Sequence, residues 1–338
     1  MIYAPILIPT LCRDKHLIRC IESLKKNSWA KYTDIYVALD YPTKEAHWQG
    51  YNKIKEYLQG EFPEFAGFNV IVREENYGSA RNMSEMRSDI LKKYDRFIRT
   101  DDDCEFASNF IEYMDKCLDR YEKDEDVMAV TGYSYPVKWN VNPDANVFKS
   151  QCLFSMWGTG FWRNKFYVMQ NLFAEPNYFQ VKFNENVEMN DMTNVAYDDF
   201  VSYGTAYKPY EGLMTSFCDR ALTVYLQLEN KYIVTPTLSK VRNYGFDGSG
   251  VYCLNTLIVK SDDGNSQAYD YQKQIIDKDE QFDICEDRLL DKIGNKKIID
   301  SFDGVSRKKL NKLKIRCFLY RLLGSEKYIT FMRKCKKL

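Results

Sequence analysis

The feature that most constrains the fold of this chain is an alternation of short apolar runs and amphipathic stretches over about its first 130 residues. Apolar runs bounded by turn residues are typical of strands, and apolar residues three or four positions apart are typical of helices. The predicted strands are Ile2–Ile8, Asp34–Leu39, Phe68–Val72, Arg96–Arg99 and Val127–Val130, and helices are predicted after Asp14, around Ile54–Leu58, at Ser79–Tyr94 and at Phe110–Tyr121. This order predicts an α/β fold with a mainly parallel sheet flanked by helices.

Acidic side chains follow three of these predicted strands. Asp40 follows the second strand, Glu74 lies just beyond the third, and the run Asp101–Asp103 lies beyond the fourth. Parallel sheets bind ligands beyond the carboxyl ends of their strands. Carboxylates at positions i and i+2 there can converge on one hard cation, which keeps open positions for phosphate oxygens. The triplet therefore indicates a cation-assisted phosphate site, with a solvated acidic turn as the alternative.

The second half of the chain gives weaker patterns. Asn184–Tyr210 is polar and acidic and is predicted to be a long loop of the kind that often forms a lid. Leu222–Leu228 is predicted to be a helix and Tyr232–Val234 a short strand, followed by an irregular Gly-rich loop at Asn243–Gly250. From Ile275 to Leu338 the chain is predicted to be mostly helical.

Composition argues against several classes of protein. The formal net charge is zero, which disfavours nucleic acid as a general partner. The ten cysteines show no CxxC spacing and the only histidines are His16 and His47, so a Cys/His zinc site is not expected. No apolar run reaches the roughly 18 residues of a membrane span, and the N-terminus lacks a basic segment of the signal-peptide type. The chain is therefore expected to be cytoplasmic, with reduced cysteines.

The charge is unevenly distributed along the chain. Ser306–Leu338 holds twelve Lys or Arg and a single acid, Glu326, so the rest of the chain is acidic. Apolar residues recur among these cations at helical spacing, at Ile315, Phe318, Leu319, Leu322, Leu323, Tyr328, Ile329 and Met332. Basic residues beside an apolar stripe predict an interfacial helix on an anionic membrane face, here the inner face of the cell membrane. The alternative is that the stripe packs on the rest of the chain.

Seven segments occur in a characteristic order over about residues 3–253: PILIPTLCRDKHLIRCIESL, DIYVALD, ENYGSARN, RFIRTDDDCEFASNFIEYMDKCLDRY, VMAVTGY, FSMWGTGFWRNKF and LSKVRNYGFDGSGVYC. Together they resemble bacterial family 2-like glycosyltransferases of the GT-A fold. The resemblance implies a Rossmann-like catalytic domain at residues 1–260, with a nucleotide-sugar half to about 135 and an acceptor half from about 136. Residues 261–338 would then form a helical C-terminal extension with a basic amphipathic tail.

The resemblance also implies roles for individual residues. It assigns donor binding to Thr10, Arg13, Asp40, Asn76, Gly78, Arg81, Asp101, Asp102, Trp157 and Gly158. It assigns Mn²⁺ or Mg²⁺ to Asp103 directly, with Asp101 contacting the ribose or a metal-bound water. Trp162 would join Trp157 in facing the sugar and acceptor. The alternatives are a strand-end turn for Asp40, a helix-surface charge for Arg81 and core packing for the tryptophans.

The matching position for a catalytic carboxylate is Asp219, with a helix N-cap as the alternative role and Asp198 and Asp199 as competing candidates. The family often has a histidine where this chain has Tyr252, which is a poor ligand for these metals. The implied reaction moves a sugar from a nucleoside-diphosphate sugar, by preference a UDP-sugar, to the hydroxyl of a glycan or lipid-linked acceptor. Inversion is expected, with Asp219 as the base, in surface polysaccharide or glycan assembly.

Three other functions are weighed against this one. A sugar-phosphate nucleotidyltransferase usually carries glycines in its first strand–helix loop, whereas this loop reads IPTLCRDK. An NAD enzyme is disfavoured because no G-x-G-x-x-G follows a strand. A catalytically impaired binding or scaffold protein of the same fold at the membrane stays open because of Tyr252.

Overall fold

The structure is a computed structural model that describes residues 2–175, 177–185, 192–205, 218–250, 257–260, 266–269, 271–287, 292–302 and 305–335. The strands are β1 Ile6–Thr10, β2 Asp34–Leu39, β3 Gly67–Val72, β4 Arg96–Arg99, β5 Cys104–Phe106, β6 Val127–Thr131, β7 Val147–Ser150, β8 Thr159–Trp162, β9 Tyr232–Pro236, β10 Val241–Asn243, β11 Leu257–Lys260, β12 Ser266–Tyr269 and β13 Glu286–Asp287.

The α-helices are α1 Asp14–Lys25, α2 Glu45–Tyr57, α3 Gly78–Ile90, α4 Phe110–Tyr121, α5 Arg163–Ala174, α6 Tyr178–Asn184, α7 Asn194–Gly204, α8 Asp219–Leu228, α9 Lys292–Phe302, α10 Arg307–Leu323 and α11 Ser325–Cys335. Helices therefore follow β1, β2, β3 and β5 along the first third of the chain, as the sequence pattern predicts.

Nine strands form the central sheet, in the order β13-β7-β9-β6-β8-β4-β1-β2-β3. The pairs β1–β2, β1–β4, β2–β3, β6–β9 and β7–β13 are parallel, whereas β8 pairs antiparallel with both β4 and β6 and β7 pairs antiparallel with β9. The predicted fold class, a mainly parallel sheet flanked by helices, is confirmed.

Two hydrophobic clusters cover the two faces of this sheet. On β1, Ile6 and Ile8 belong to the cluster formed with α1, α2 and α4, whereas Leu7 belongs to the cluster formed with α3 and α5. Alternate residues of a strand point to opposite faces, so a strand with both faces covered is apolar throughout. This explains why β1 and β2 appear in the sequence as continuous apolar runs.

The prediction of a long loop at Asn184–Tyr210 is wrong in the part that the structure describes. Residues 194–204 form α7, which buries Ala196, Phe200, Val201 and Tyr203. The apolar positions of this helix are spaced for one face but are interleaved with Asn, Asp and Tyr, which gives the segment its polar composition. Thr193 caps the helix, because its side chain accepts a hydrogen bond from the Ala196 N–H.

The prediction of a mostly helical segment from Ile275 is wrong at its start. Residues 274–285 run without helix, and side chains hold them in place. Lys240 pairs with Asp277, and Asn109 Nδ2 donates to Asp277 Oδ2 at 3.1 Å. The predicted helical character begins at α9 and continues through α10 and α11.

The two C-terminal helices pack against the sheet side that carries α7. Leu313, Cys317 and Tyr320 of α10 and Tyr328 of α11 are buried in the cluster that contains Phe200. The division at residue 260 between a catalytic domain and an extension stays a prediction. Within the described residues, no helix is long and apolar enough to cross a membrane.

Candidate active site

The loop after β1 and the triplet after β4 meet at one end of the sheet because the two strands are parallel neighbours. Thr10 Oγ1 donates to Asp102 Oδ2 at 2.8 Å. The guanidinium of Arg13 lies between two carboxylates, pairing with Asp102 and, at 2.8 Å, with Asp103. A planar guanidinium with several fixed donors suits such a shared position. The sequence therefore brings Thr10, Arg13 and the triplet together as predicted.

The three carboxylates of the triplet differ in exposure. The side chain of Asp101 is 30% exposed and pairs with Arg99 at 2.8 Å. Those of Asp102 and Asp103 are only 5% and 8% exposed. Asp101 is therefore the member of the triplet most accessible to a ligand.

Asp103 is enclosed by the Gly-rich segment that begins in β10. Strand β10 pairs with β5, which places Asn243 opposite Cys104. Asn243 Nδ2 donates to Asp103 Oδ1 at 2.9 Å, and the Tyr244 N–H donates to the Asp103 carbonyl at 2.8 Å. A Cβ on Gly245 would lie 2.1 Å from Asp103 Oδ2, so a glycine is required at this contact.

Charge and burial act together on Asp103. Burial raises the pKa of Asp103 to about 7, Arg13 opposes that rise, and Asp101 and Asp102 add to it. The Gly-rich segment is in turn held by α1, where His16 Nε2 lies 3.2 Å from the Tyr244 carbonyl and 3.1 Å from Asp247 Oδ2. Both partners are acceptors, so Nε2 carries the hydrogen.

Asp219 is the first residue of α8. The N-cap position belongs to Cys218, which makes no side-chain capping bond, so the cap role considered for Asp219 is not observed. Burial raises the pKa of Asp219 to about 7, Arg99 opposes the rise and Asp101 adds to it. Arg99 and Asp101 are thus near enough to influence the Asp219 carboxylate electrostatically.

The two competing carboxylates are engaged elsewhere. Asp198 pairs with Lys309 of α10, and Asp199 accepts two hydrogen bonds from Arg220, one of them at 2.8 Å from Nε. Both aspartates are buried. Their position in α7 therefore indicates a structural role rather than proton transfer.

Asp40 joins the loops that follow β2 and β3. Its Oδ1 accepts from the Tyr41 N–H at 2.9 Å and from the Tyr77 N–H at 2.8 Å, and its Oδ2 accepts from Asn76 Nδ2 at 3.3 Å. Gly78, at the start of α3, has φ +70°, a conformation that favours glycine, and nothing lies near the position of a Cβ. Asp40 and Asn76 are thus together, as predicted.

Arg81 lies at the outer edge of this group. It pairs with Glu75 and Glu85, and its guanidinium lies 3.7 Å from the centre of the Tyr77 ring. A cation over an aromatic face stabilises that ring in place. Both the predicted donor contact and the surface-charge alternative are compatible with this position.

The two tryptophans occupy different environments. Trp162 is buried in the core, where its Nε1 donates to the Leu118 carbonyl at 3.0 Å, so the prediction that it faces the sugar is wrong. Trp157 is half-buried and packs edge-to-face against Tyr133 and against Phe246 of the Gly-rich segment. Gly158 has φ +61°, and a Cβ there would lie 2.9 Å from Phe110 and Val241.

A family model described as glycosyl transferase family 2 matches residues 6–184, which is more than half of the chain. The chain belongs to glycosyl transferase family 2. The predicted resemblance to this family is therefore confirmed. The matched region includes Arg13 and the acidic triplet but ends before Asp219.

Several solved structures are similar to this chain at low identity. Staphylococcus aureus TarS 1–349 in complex with UDP shares 15% identity at a TM-score of 0.30, over 38% of this chain and 34% of that one. TarS 1–349 alone gives 12% and 0.36, over 60% and 70%. The mannosyltransferase PcManGT from Pyrobaculum calidifontis, in complex with GDP-Man and Mn²⁺, gives 11% and 0.35, over 68% and 70%.

The chain spans about a third of the length of the first of these structures. No curated protein matches it.

Sequence reasoning missed two residues that shape this candidate site. Arg99 lies at the end of β4 and pairs with Asp101, and a cation two positions before three acids was a signal that the pattern offered. Asn243 holds Asp103, but its role follows from the β5–β10 pairing and so from a contact distant in sequence. Tyr252 lies outside the described residues.

Proposed function

We propose that this enzyme moves a sugar from a nucleoside-diphosphate sugar, by preference a UDP-sugar, to an acceptor hydroxyl with inversion at the anomeric carbon. The observation that carries the proposal is the Arg99–Asp101 ion pair at the carboxyl end of β4, where both charges influence the buried Asp219 carboxylate. An inverting transfer needs a base at the acceptor and cationic groups at the departing diphosphate. The carboxyl end of β4 supplies both.

Asp219 is the proposed base, taking the proton of the acceptor hydroxyl as its oxygen attacks the sugar. Its pKa of about 7 suits this task, because a base works best when its pKa lies near the working pH. Arg13 and Arg99 are the cations available to the diphosphate. The remaining donor contacts are proposed for Thr10, Asp40, Asn76, Gly78, Arg81, Asp101, Asp102, Trp157 and Gly158.

We also propose Mn²⁺ or Mg²⁺ as cofactor. Four carboxylates, namely those of Asp101, Asp102, Asp103 and Asp219, lie near the two guanidinium groups of Arg13 and Arg99, which leaves two negative charges in excess when all four are ionised. Hard divalent cations prefer such carboxylate oxygens. Asp101 and Asp103 would hold the ion, which would act as a Lewis acid on the diphosphate. Within the described residues, no group of three or more His, Cys, Asp or Glu side chains is placed to hold a metal ion together.

The acceptor is proposed to be a glycan or a lipid-linked glycan, in surface polysaccharide or glycan assembly. Helix α10 supports a membrane location, because Ile315, Phe318 and Leu322 are 60%, 64% and 67% exposed. They lie on one face, opposite the buried Leu313 and Cys317. The exposed basic residues beside that face are Arg307, Lys308, Lys312, Lys314 and Arg321. An apolar stripe with basic flanks suits an anionic leaflet on the cytoplasmic side.

A nucleoside-diphosphate release assay tests the proposed reaction. The purified enzyme would be screened with UDP-sugars and GDP-sugars, each with and without Mn²⁺, against a mixture of glycan acceptors. Asp219→Asn is expected to lower kcat by about 10²–10⁴-fold with little change in donor affinity, since an amide cannot take the proton. Asp89→Asn, at an exposed position on α3, is the matched control. Full release by Asp219→Asn would show that the base assignment is wrong.

A further inference from the structure

The first turn of α8 carries the proposed base but lacks the usual means of fixing a helix start. The first N–H groups of a helix have no partner within it and are commonly satisfied by an N-cap side chain. Here the N-cap is Cys218, which makes no such bond. Asp219 thus lies at an end where a helix is prone to fray.

Besides the hydrogen bond that the Asp219 carboxylate accepts from the Met156 N–H, two contacts hold this turn from outside the helix. The Thr223 hydroxyl bonds within the turn to the Asp219 carbonyl at 2.8 Å and also accepts from the Phe154 N–H at 2.9 Å. The second contact is the ion pair of Arg220 with Asp199 of α7, in which both ends of the guanidinium take part. A two-bond pair of this kind fixes orientation as well as distance.

The partner helix α7 is itself firmly held. Its start is capped by Thr193, and the Asn194 N–H donates to Asp300 Oδ1 at 2.6 Å. Asp198, next to Asp199, pairs with Lys309 of α10. Asp199 is therefore a buried carboxylate on a helix anchored to α9 and α10, and it is suited to hold a neighbouring element still.

We propose that Asp199, acting through Arg220, positions Asp219 for catalysis, and that the Asp198–Lys309 pair extends this support to the C-terminal helix α10. The inference rests on the proposed role of Asp219 as base. Asp199 and Arg220 are positioning residues, because neither needs to touch a substrate. On this view α10 belongs to the catalytic apparatus as well as carrying the exposed stripe.

Asp199→Asn is the main test, because it keeps the size of the side chain and releases an exposed arginine to solvent. Removing Arg220 instead would leave a buried charge without its partner, which destabilises proteins strongly. The expected result is a fall of about ten- to a hundredfold in kcat, the scale that a misplacement of about 1 Å produces, with donor affinity changed less than twofold. Deuterium uptake at residues 218–222 should become faster.

The matched control breaks a tether at the opposite end of the same helix. Lys182 pairs with Glu229, the residue that follows α8, at 3.1 Å. Lys182→Met should leave kcat and deuterium uptake at residues 218–222 near their wild-type values. Equal losses of kcat in Asp199→Asn and Lys182→Met would indicate general loosening of α8 and would overturn the proposal.

Two further variants sharpen the result. Arg220→Lys, which offers one point charge in place of a planar fork, should retain part of the activity that Asp199→Asn loses. Lys309→Met should speed exchange in α7 and lower kcat by a smaller factor. If Asp199→Asn keeps wild-type kcat while Asp219→Asn is inactive, the positioning role fails and the base stands. If Asp219→Asn is active, the base itself is wrong, and exchange at 218–222 still reports whether the tether exists.

Discussion

The acidic residues on the proposed donor side of the site, Asp102 and Asp103, and the one on the proposed acceptor side, Asp219, are held in contrasting ways. These two groups are called the donor wall and the acceptor wall below. On the donor side, Asp102 and Asp103 are buried beneath the guanidinium of Arg13, and Asn243 and Gly245 close over Asp103. On the acceptor side, Asp219 begins a helix without a side-chain cap and depends on the tethers described above. The donor wall follows strand β4 and is held by the loop after the neighbouring strand β1. The acceptor wall lies on a helix that is held in place by side-chain contacts with other elements.

This difference matches the positions of the two groups of residues in the sequence. The donor wall depends mostly on residues 6–184, the range that the family model matches, while Asp219, Arg220 and Lys309 lie beyond it. Residues that follow adjacent parallel strands are brought together mainly by the pairing of those strands. Asp219 lies on a helix later in the sequence, so its position depends on contacts with other helices. Substitutions on the two sides should therefore fail in different ways.

On the donor side, a single substitution is expected to lower both turnover and nucleotide affinity. Asp103→Asn should lower transfer by about 10²–10³-fold, because a charged partner of Arg13 and a proposed cation ligand are both lost. The affinity for nucleoside diphosphate, measured by calorimetry with and without Mn²⁺, should fall with it. Asp103 is buried, so the asparagine is preferred to alanine, which would remove the acceptor of Asn243 and one of the two carboxylates that face Arg13.

The control for this variant is Asp283→Asn, at a position whose side chain is 98% exposed. It should leave both turnover and nucleotide affinity unchanged. Retention of near wild-type turnover by Asp103→Asn in the presence of Mn²⁺ would contradict the metal assignment and remove the contrast between the two walls.

The next prediction distinguishes the acceptor wall from the donor wall by the pH dependence of kcat and of donor affinity. Burial raises the pKa of Asp219 to about 7, and a general base must be ionised to act. At saturating donor, kcat should therefore fall about tenfold per pH unit below that value and level off above it. In the metal-free site Asp103 has a raised pKa in the same range, so donor affinity without added metal should weaken over the same window as the pH falls.

Measuring kcat and donor affinity separately from pH 5 to 9 distinguishes these groups. In Asp219→Asn the acid limb of kcat should disappear while the limb in affinity persists. A kcat that stays flat from pH 5 to 8 in the wild-type enzyme would contradict the assignment of Asp219 as base.

The sequence predicts the donor wall much better than the acceptor wall. Strands β2 and β4 have the predicted bounds, and Thr10, Arg13 and the triplet meet where the alternation of elements places them. The helix α7 was missed because its buried face is interleaved with polar residues. The antiparallel strand β8 between β4 and β6 was missed because its pairing depends on contacts that are distant in sequence.

The C-terminal helix α10 shows what an amphipathic sequence pattern can predict and what it cannot. The predicted stripe on α10 divides in the structure, where Leu319 and Leu323 pack on the core and Ile315, Phe318 and Leu322 remain exposed. An amphipathic pattern gives the spacing of apolar residues but not which of two faces a neighbour covers. Burial of Leu313, Cys317 and Tyr320 decides that question here.

A smaller effect is therefore expected from charges placed on the exposed stripe. Ile315→Glu combined with Phe318→Glu should reduce co-sedimentation with anionic vesicles at low salt by tenfold or more, since a buried apolar side chain contributes about 1.5–3 kcal/mol. Val168→Glu, at an exposed apolar position on α5, is the control and should pellet like the wild type. Equal pelleting of all three proteins would contradict membrane docking through α10.

The smallest effect concerns a carboxylate in the donor half that takes no part in the proposed reaction. Asp115 is fully buried on α4, where its Oδ1 accepts from the Ala4 N–H at 2.9 Å and its Oδ2 has no hydrogen-bond partner. Burial raises the pKa of Asp115 to about 7, with the Ala4 N–H and Arg96 opposing the rise. The folded protein therefore holds this proton more tightly than the unfolded chain does.

As the pH rises from about 4 to 7, the unfolded chain loses the Asp115 proton before the folded protein does, so the free energy of unfolding falls across that window. Above that window the free energy of unfolding stays lower by the same amount. Asp115→Asn removes the titration and keeps an acceptor for the Ala4 N–H. The variant should gain on the order of 1–3 kcal/mol over the wild type between pH 4 and pH 8, visible as a Tm difference that grows with pH. Transfer activity should be unchanged at neutral pH. A Tm difference that is constant with pH would show that Asp115 keeps an ordinary pKa, and a loss of activity would place α4 among the elements that support the donor wall.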